Sequence, residues 1–310
     1  MKAYLINNVL TCTWFVCVLL AFPSPIAAES SFRVGDGTYA VTAKRWKSAF
    51  RFSQHDGTTY INRIYSNGGH DRLHKNGGRD TIIFVPHTVR PENEITVLIW
   101  FHGLGGFTKK EFSRRLIPQF NNLLNDGANL IVVIPEMPWS TNTSSTHSRQ
   151  GRVWRGTKND DFVKFYGDVS ETIEKHFSNE DDIFPRYFRT VIVGHSAGGS
   201  AISSAAKAGA FSKISELQLI VFSDASYGRW FDVTWKYFLK NNEHVDVHVL
   251  VRKYDRPYKN IRRFQRYHQN LPERLKIDVL SRKKYTHTRI GNRVLLLAPV
   301  FNPLDNEPGC

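Results

Sequence analysis

From Thr81 onward the chain alternates short apolar runs with longer amphipathic stretches. The runs are Thr81–Val85, Ile95–Phe101, Leu130–Ile134, Val191–Val193, Leu217–Phe222, Val245–Val251 and Leu275–Leu280. Most are near-continuous Val, Ile, Leu and Phe, the pattern of strands covered on both faces. Between them, Asp160–Phe177 places Phe162, Phe165, Val169, Ile173 and Phe177 on one helical stripe. Lys109–Leu124 and Arg229–Leu239 are further helix candidates. Strands that alternate with helices predict an α/β domain with a doubly wound, mostly parallel sheet. Ligands of such sheets collect at the carboxyl ends of the strands. Residues 29–78 differ: they are polar and glycine-containing, with aromatics at Phe32, Tyr39, Trp46, Phe50, Phe52 and Tyr60. They read as a short N-terminal extension, packed on a main domain of residues 79–310.

The first 28 residues lie outside this pattern. Lys2 precedes an apolar run, Val9–Phe22, followed by Pro23, Pro25 and Ile26-Ala27-Ala28. That is the layout of a secretory signal peptide cleaved after Ala28, and the run is short for a membrane span. The expected location is secreted or periplasmic. Two of the three cysteines, Cys12 and Cys17, would leave with the leader. Cys310 alone would remain, with no internal disulfide and no thiolate metal site. His70 and His74 have helical spacing but sit among Gly68, Gly69, Gly77 and Gly78, so a loop is expected there and no metal. No cofactor is expected either.

The formal net charge is +14, and the excess of Lys and Arg gathers between Arg252 and Arg293. A solvated face is one reading of that cluster. Attraction to an anionic cell-surface polymer such as lipopolysaccharide, cell-wall polymer or acidic polysaccharide is the other. Export and the lack of a recognition motif argue against nucleic acid.

The chemistry gathers at Thr190-Val191-Ile192-Val193-Gly194-His195-Ser196-Ala197-Gly198-Gly199. A β-branched run ends in Gly-x-Ser-x-Gly, and a small-residue helix follows from Ser200 to Ala208. A serine on so sharp a strand-to-helix turn is forced out of the sheet. Gly194 and Gly198 are expected where a Cβ would strike the neighbouring strand or helix. A second glycine-rich turn, His102-Gly103-Leu104-Gly105-Gly106, follows another strand candidate.

With these motifs and this element order, residues 80–300 resemble the α/β-hydrolase superfamily of serine esterases and lipases. The resemblance implies a nucleophile at Ser196 and an oxyanion hole from the N–H of Ala197 with that of Leu104 or Gly105. It implies a base just past the last strand, where His287 stands in Tyr285-Thr286-His287-Thr288. The acid is Asp224, directly at a strand end, or Asp255, several residues beyond the next strand and flanked by Lys253 and Arg256. The superfamily places its acid more often after the later strand. Rigid placement favours Asp224. Trp139 and Trp154 lie on a stretch expected to overhang the site, as a substrate platform or as cover for the core edge.

The expected function is hydrolysis of small-molecule or polymer carboxylic esters through an acyl-enzyme. An amidase or peptidase on cell-wall-type material is the second enzyme reading. A non-catalytic binder of anionic polymer on a hydrolase scaffold is the alternative of a different class. The sequence is silent on oligomeric state.

Overall fold

A computed structural model describes residues 57–63, 80–104, 116, 122–135, 137, 161–178 and 188–293. The predicted leader, most of the N-terminal extension, Gly105, Trp139, Trp154 and Cys310 lie outside the described residues. So does most of the helix expected over Lys109–Leu124.

Eight strands form one sheet: β1 (Gly57–Arg63), β2 (Asp80–Pro86), β3 (Ile95–Phe101), β4 (Leu130–Pro135), β5 (Phe188–His195), β6 (Leu217–Ser223), β7 (Asp246–Arg252) and β8 (Leu275–Leu280). Their spatial order is β1-β2-β4-β3-β5-β6-β7-β8. β1 and β2 pair antiparallel, as do β2 and β4, and every later pairing is parallel. β1 is the one piece of the expected extension within the described residues. Its backbone joins the sheet edge.

Among the described helices are α1 (Asp161–Ser178), α2 (Gly198–Lys207), α3 (Trp230–Tyr237), α4 (Arg256–Tyr267) and α5 (His287–Arg293). The α1 stripe falls as the periodicity requires, with Phe162, Phe165, Val169, Ile173 and Phe177 all buried. These side chains pack on one face of the sheet, together with Ala201 and Ile202 of α2, Phe231 and Trp235 of α3, and Ile261 and Phe264 of α4. The other face is covered by Leu116, Leu123, Leu124 and Ile290 of α5. Strands buried from both sides need no polar alternation. β3 and β4 are indeed buried at every position.

Winding reverses between β3 and β5, which lie side by side in parallel although β4 and α1 intervene in the chain. Phe101 pairs with Gly194 at the end of that register. The carboxyl ends of β3 and β5 therefore flank the point where the strand order turns back, where a crevice opens in sheets of this kind.

Candidate active site

The turn after β5 is built by exclusion. A Cβ on Gly194 would fall 2.7 Å from Ile202 Cδ1 and 2.9 Å from the Gly198 carbonyl carbon, both in α2. One on Gly198 would lie 2.2 Å from the Phe101 oxygen of β3. Gly199 is as tight, 2.2 Å from the Ala225 oxygen, a constraint that sequence reasoning did not single out. With three glycines letting β3, β5, β6 and α2 close together, Ser196 is held at φ +52°, a left-handed conformation unusual for serine. Its N–H donates to the Ser223 oxygen at 3.1 Å, tying the turn to the end of β6. Ala197 follows, at the head of α2.

The end of β6 repeats the device. Asp224 has φ +47° and its N–H donates to the Leu250 oxygen of β7 at 2.7 Å. Its side chain is fully buried. His287, the first residue of α5, reaches it: His287 Nδ1 donates to Asp224 Oδ2 at 2.5 Å. A carboxylate only accepts, so Nδ1 is the donor, and in the neutral ring Nε2 is the acceptor. The two residues are 63 positions apart in the chain. The ring of Tyr227 stands edge-on to that of His287, centroids 6.3 Å apart. Burial, with help from the Asp224 and Asp255 charges, pushes the Tyr227 hydroxyl up to about 12.

Asp255 is engaged elsewhere. Its Oδ2 meets an Arg252 guanidinium nitrogen, and its Oδ1 lies 3.2 Å from Arg282 Nε. Arg252 in turn places Nε 3.4 Å from Asp224 Oδ2. The two acids weighed from sequence are thus joined by one arginine, and the histidine lies on Asp224.

Two further histidines, neither given a role from sequence, order the surroundings. His195 is 3% exposed. Its Nε2 donates to the His287 carbonyl at 3.0 Å, and the two rings lie 4.9 Å apart. A Cβ on Gly103 or on Gly291 of α5 would crowd its ring, at 3.1 and 3.2 Å. His102, also buried, donates from Nδ1 to the Gly103 oxygen and accepts at Nε2 from the Met137 N–H, each at 2.9 Å. It fastens the loop after β3 to the chain beyond β4. A Cβ on Gly103 would meet Ser196 Cβ at 3.0 Å, so this loop lies directly against the serine. Leu104, next along, is 47% exposed. Among the described residues, no cluster of His, Cys, Asp or Glu is arranged to hold a metal.

No family model and no curated protein matches this chain. Solved structures do. One is a mutant of the feruloyl esterase module from Clostridium thermocellum complexed with sinapinate, 13% identical over 82% of this chain and 91% of that one, TM-score 0.53. Another is FphF, a fluorophosphonate-binding serine hydrolase of Staphylococcus aureus, 12% identical over 79% and 98%, TM-score 0.52. At these identities the likeness is one of fold. The chain has the α/β-hydrolase fold.

Proposed function

We propose that this protein is a serine hydrolase of carboxylic esters, with Ser196 as nucleophile, His287 as base and Asp224 as the acid that orients it. The observation that carries the reading is the His287 Nδ1–Asp224 Oδ2 hydrogen bond at 2.5 Å, at the end of the strand beside the one that presents Ser196 on a left-handed turn. A serine hydroxyl is a weak nucleophile until a base takes its proton. His287, with Nδ1 occupied by Asp224, offers Nε2 for that transfer. Attack on the ester carbonyl gives a tetrahedral oxyanion, for which the Ala197 N–H and the N–H of Leu104 or Gly105 are the proposed donors. His287 then returns the proton to the leaving alcohol, and water releases the acyl group by the same steps in reverse roles. His195 holds the His287 backbone, and His102 holds the loop that carries the second donor.

Esters are favoured over amides because the feruloyl esterase module shares this fold. The predicted leader makes the site of action secreted or periplasmic, and N-terminal sequencing of the mature protein is expected to begin at Glu29. A fluorophosphonate probe tests the chemistry: it should label the protein at Ser196 and leave Ser196→Ala unlabelled. A panel of paired ester and amide substrates then separates esterase from amidase. Persistent labelling of Ser196→Ala would overturn the nucleophile, and faster amide than ester turnover would overturn the substrate class.

A further inference from the structure

We propose that the surface over α3 and the loops entering β7 and β8 is a binding track for an acidic polysaccharide. Three depressions meet there. One of about 200 Å³ is walled by Lys207, Arg229, Asp232, Val233, Lys236 and Tyr237. A second, about 560 Å³, shares Arg229, Asp232 and Lys236 with the first and adds Arg263 and Lys240. The third, about 870 Å³, shares Trp235, Lys240, Tyr267 and His268 with the second and reaches Arg274. Shared lining residues set the three side by side along one surface, an extended arrangement suited to a linear chain rather than a compact ligand.

Six cations line the track: Lys207, Arg229, Lys236, Lys240, Arg263 and Arg274. Two acids oppose them, Asp232 and Glu243, and Asp232 is already engaged by Arg263 at 3.3 Å. Arg274 is fixed in place, donating to the Val245 oxygen at 2.6 Å and to the Leu239 oxygen. Its guanidinium also lies over the Trp235 ring, 5.9 Å from the centroid. Arg229 and Lys240 have no ion-pair partner among the described residues. Arg263 faces Asp232 and Arg274 faces Glu243 and Asp246, which leaves a net positive row that selects a polyanion.

The aromatic residues narrow the class. Tyr267 closes α4 between the two larger depressions with 79% of its surface exposed. His268, beside it, packs on Phe264 at 4.4 Å and on Trp235 at 6.2 Å. Even with Tyr237, 47% exposed at the smallest depression, Tyr267 makes too little apolar surface to enter a membrane. It offers instead a flat face for the C–H face of a sugar ring, with acidic groups reaching the flanking Lys and Arg. The proposed export makes a cell-surface polysaccharide the partner rather than nucleic acid, and the inference rests on that proposal. It does not rest on the triad.

The β7 and β8 side of the track lies away from Ser196. Residues 239–245 and 268–274 lead into the amino ends of β7 and β8, whereas Ser196 stands at a carboxyl end. A seven-residue strand spans about 23 Å, so that side of the track serves to anchor the protein to polymer instead of feeding the cleft. Of the basic cluster legible between Arg252 and Arg293, only Arg263 and Arg274 lie on it. The other four cations come from the end of α2, the residue before α3, α3 itself and the turn after it.

Affinity electrophoresis of the mature protein in gels holding polygalacturonate tests this, with inorganic polyphosphate as the comparison. The protein should be retained at low salt and released as the screening length falls from about 10 Å at 0.1 M to about 3 Å at 1 M. Reversing Arg229, Lys236 and Lys240 to Glu should weaken retention at least about tenfold. Reversing Lys259, Arg262 and Arg266, exposed on α4 but off the track, should have little effect. Tyr267→Ala should weaken retention by polygalacturonate and leave polyphosphate unchanged. Absence of low-salt retention, equal loss in both charge-reversed proteins, or equal loss of both polymers in Tyr267→Ala would each overturn the proposal. Neutral-ester hydrolysis, followed in parallel, should be unchanged in every variant. A protein that binds the polymer but hydrolyses no ester would sink the esterase reading and leave the track standing.

Discussion

Ser196, Asp224 and Tyr254 are the non-glycine residues with positive φ among those described, and each stands just beyond a strand: β5, β6 and β7 in turn. Aspartate and asparagine tolerate this conformation better than most residues. Asp224→Asn should therefore keep the backbone, lose the carboxylate, and favour the wrong tautomer of His287, lowering kcat about 10⁴-fold. Asp255→Asn breaks the pairs with Arg252 and Arg282 and should lower kcat less than about tenfold, with the larger change in urea stability. Comparable activity losses from both would refute the assignment of Asp224. Two tyrosines give a second test. Burial raises Tyr166 as well as Tyr227 to about 12, Tyr166 while hydrogen-bonded to Thr190 Oγ1 at 2.8 Å. Folded pKa values above the unfolded value mean the native state holds the protons longer. That stability is complete below about pH 10 and is lost as pH rises toward 12. Ultraviolet titration should show two tyrosines ionising late, together with falling urea midpoints; Phe at both positions should remove the late step. Ser196, His287 and Asp224 were legible as strand-end residues in the sequence. Arg252, Tyr227 and His195 were not, because their roles depend on which strands lie side by side.

At the level of elements, the strands were easiest to read. Ile95–Phe101 and Leu275–Leu280 form with the predicted ends, and the rest shift by up to three residues. A strand buried on both faces leaves a short, β-branched apolar run, and here turn residues bound each one. The helix at Arg256–Tyr267 was hidden by its own charge: only Pro257, Ile261 and Phe264 turn inward, so its basic residues read as a cluster rather than as a face. The helix opening at His287 is short and carries Gly291, both weak helical signals. Glycines divide in the same physical way. Gly198→Ala and Gly199→Ala each drive a methyl group within 2.2 Å of a backbone oxygen and should cost about 1–3 kcal/mol or more. Gly167, in the middle of α1 with nothing near its missing Cβ, should gain up to about 1 kcal/mol as alanine. Urea unfolding of the three variants would expose an error if their order were reversed.

Across the whole molecule the sheet separates the two proposed tasks. Its carboxyl edge gathers the strained turns, the buried carboxylate and the histidines. Much of the cationic track lies toward the amino edge. The division follows from topology, since parallel strands send every carboxyl end the same way. The gathering of special residues at the carboxyl edge was legible from alternating strands and helices. The cationic track was not, because α2, α3 and α4 contribute to it from separated stretches of chain. The left-handed serine has a consequence at this scale too. Strain of that kind costs on the order of 1–3 kcal/mol, and glycine would relieve it while adding about 0.5–1 kcal/mol of unfolded-state freedom. Ser196→Gly should then melt about 2–4 °C above the active protein while catalysing nothing, a shift that differential scanning calorimetry can read. Breeding this molecule for heat resistance without a screen for turnover would disarm it, and the sturdier descendants would be the silent ones.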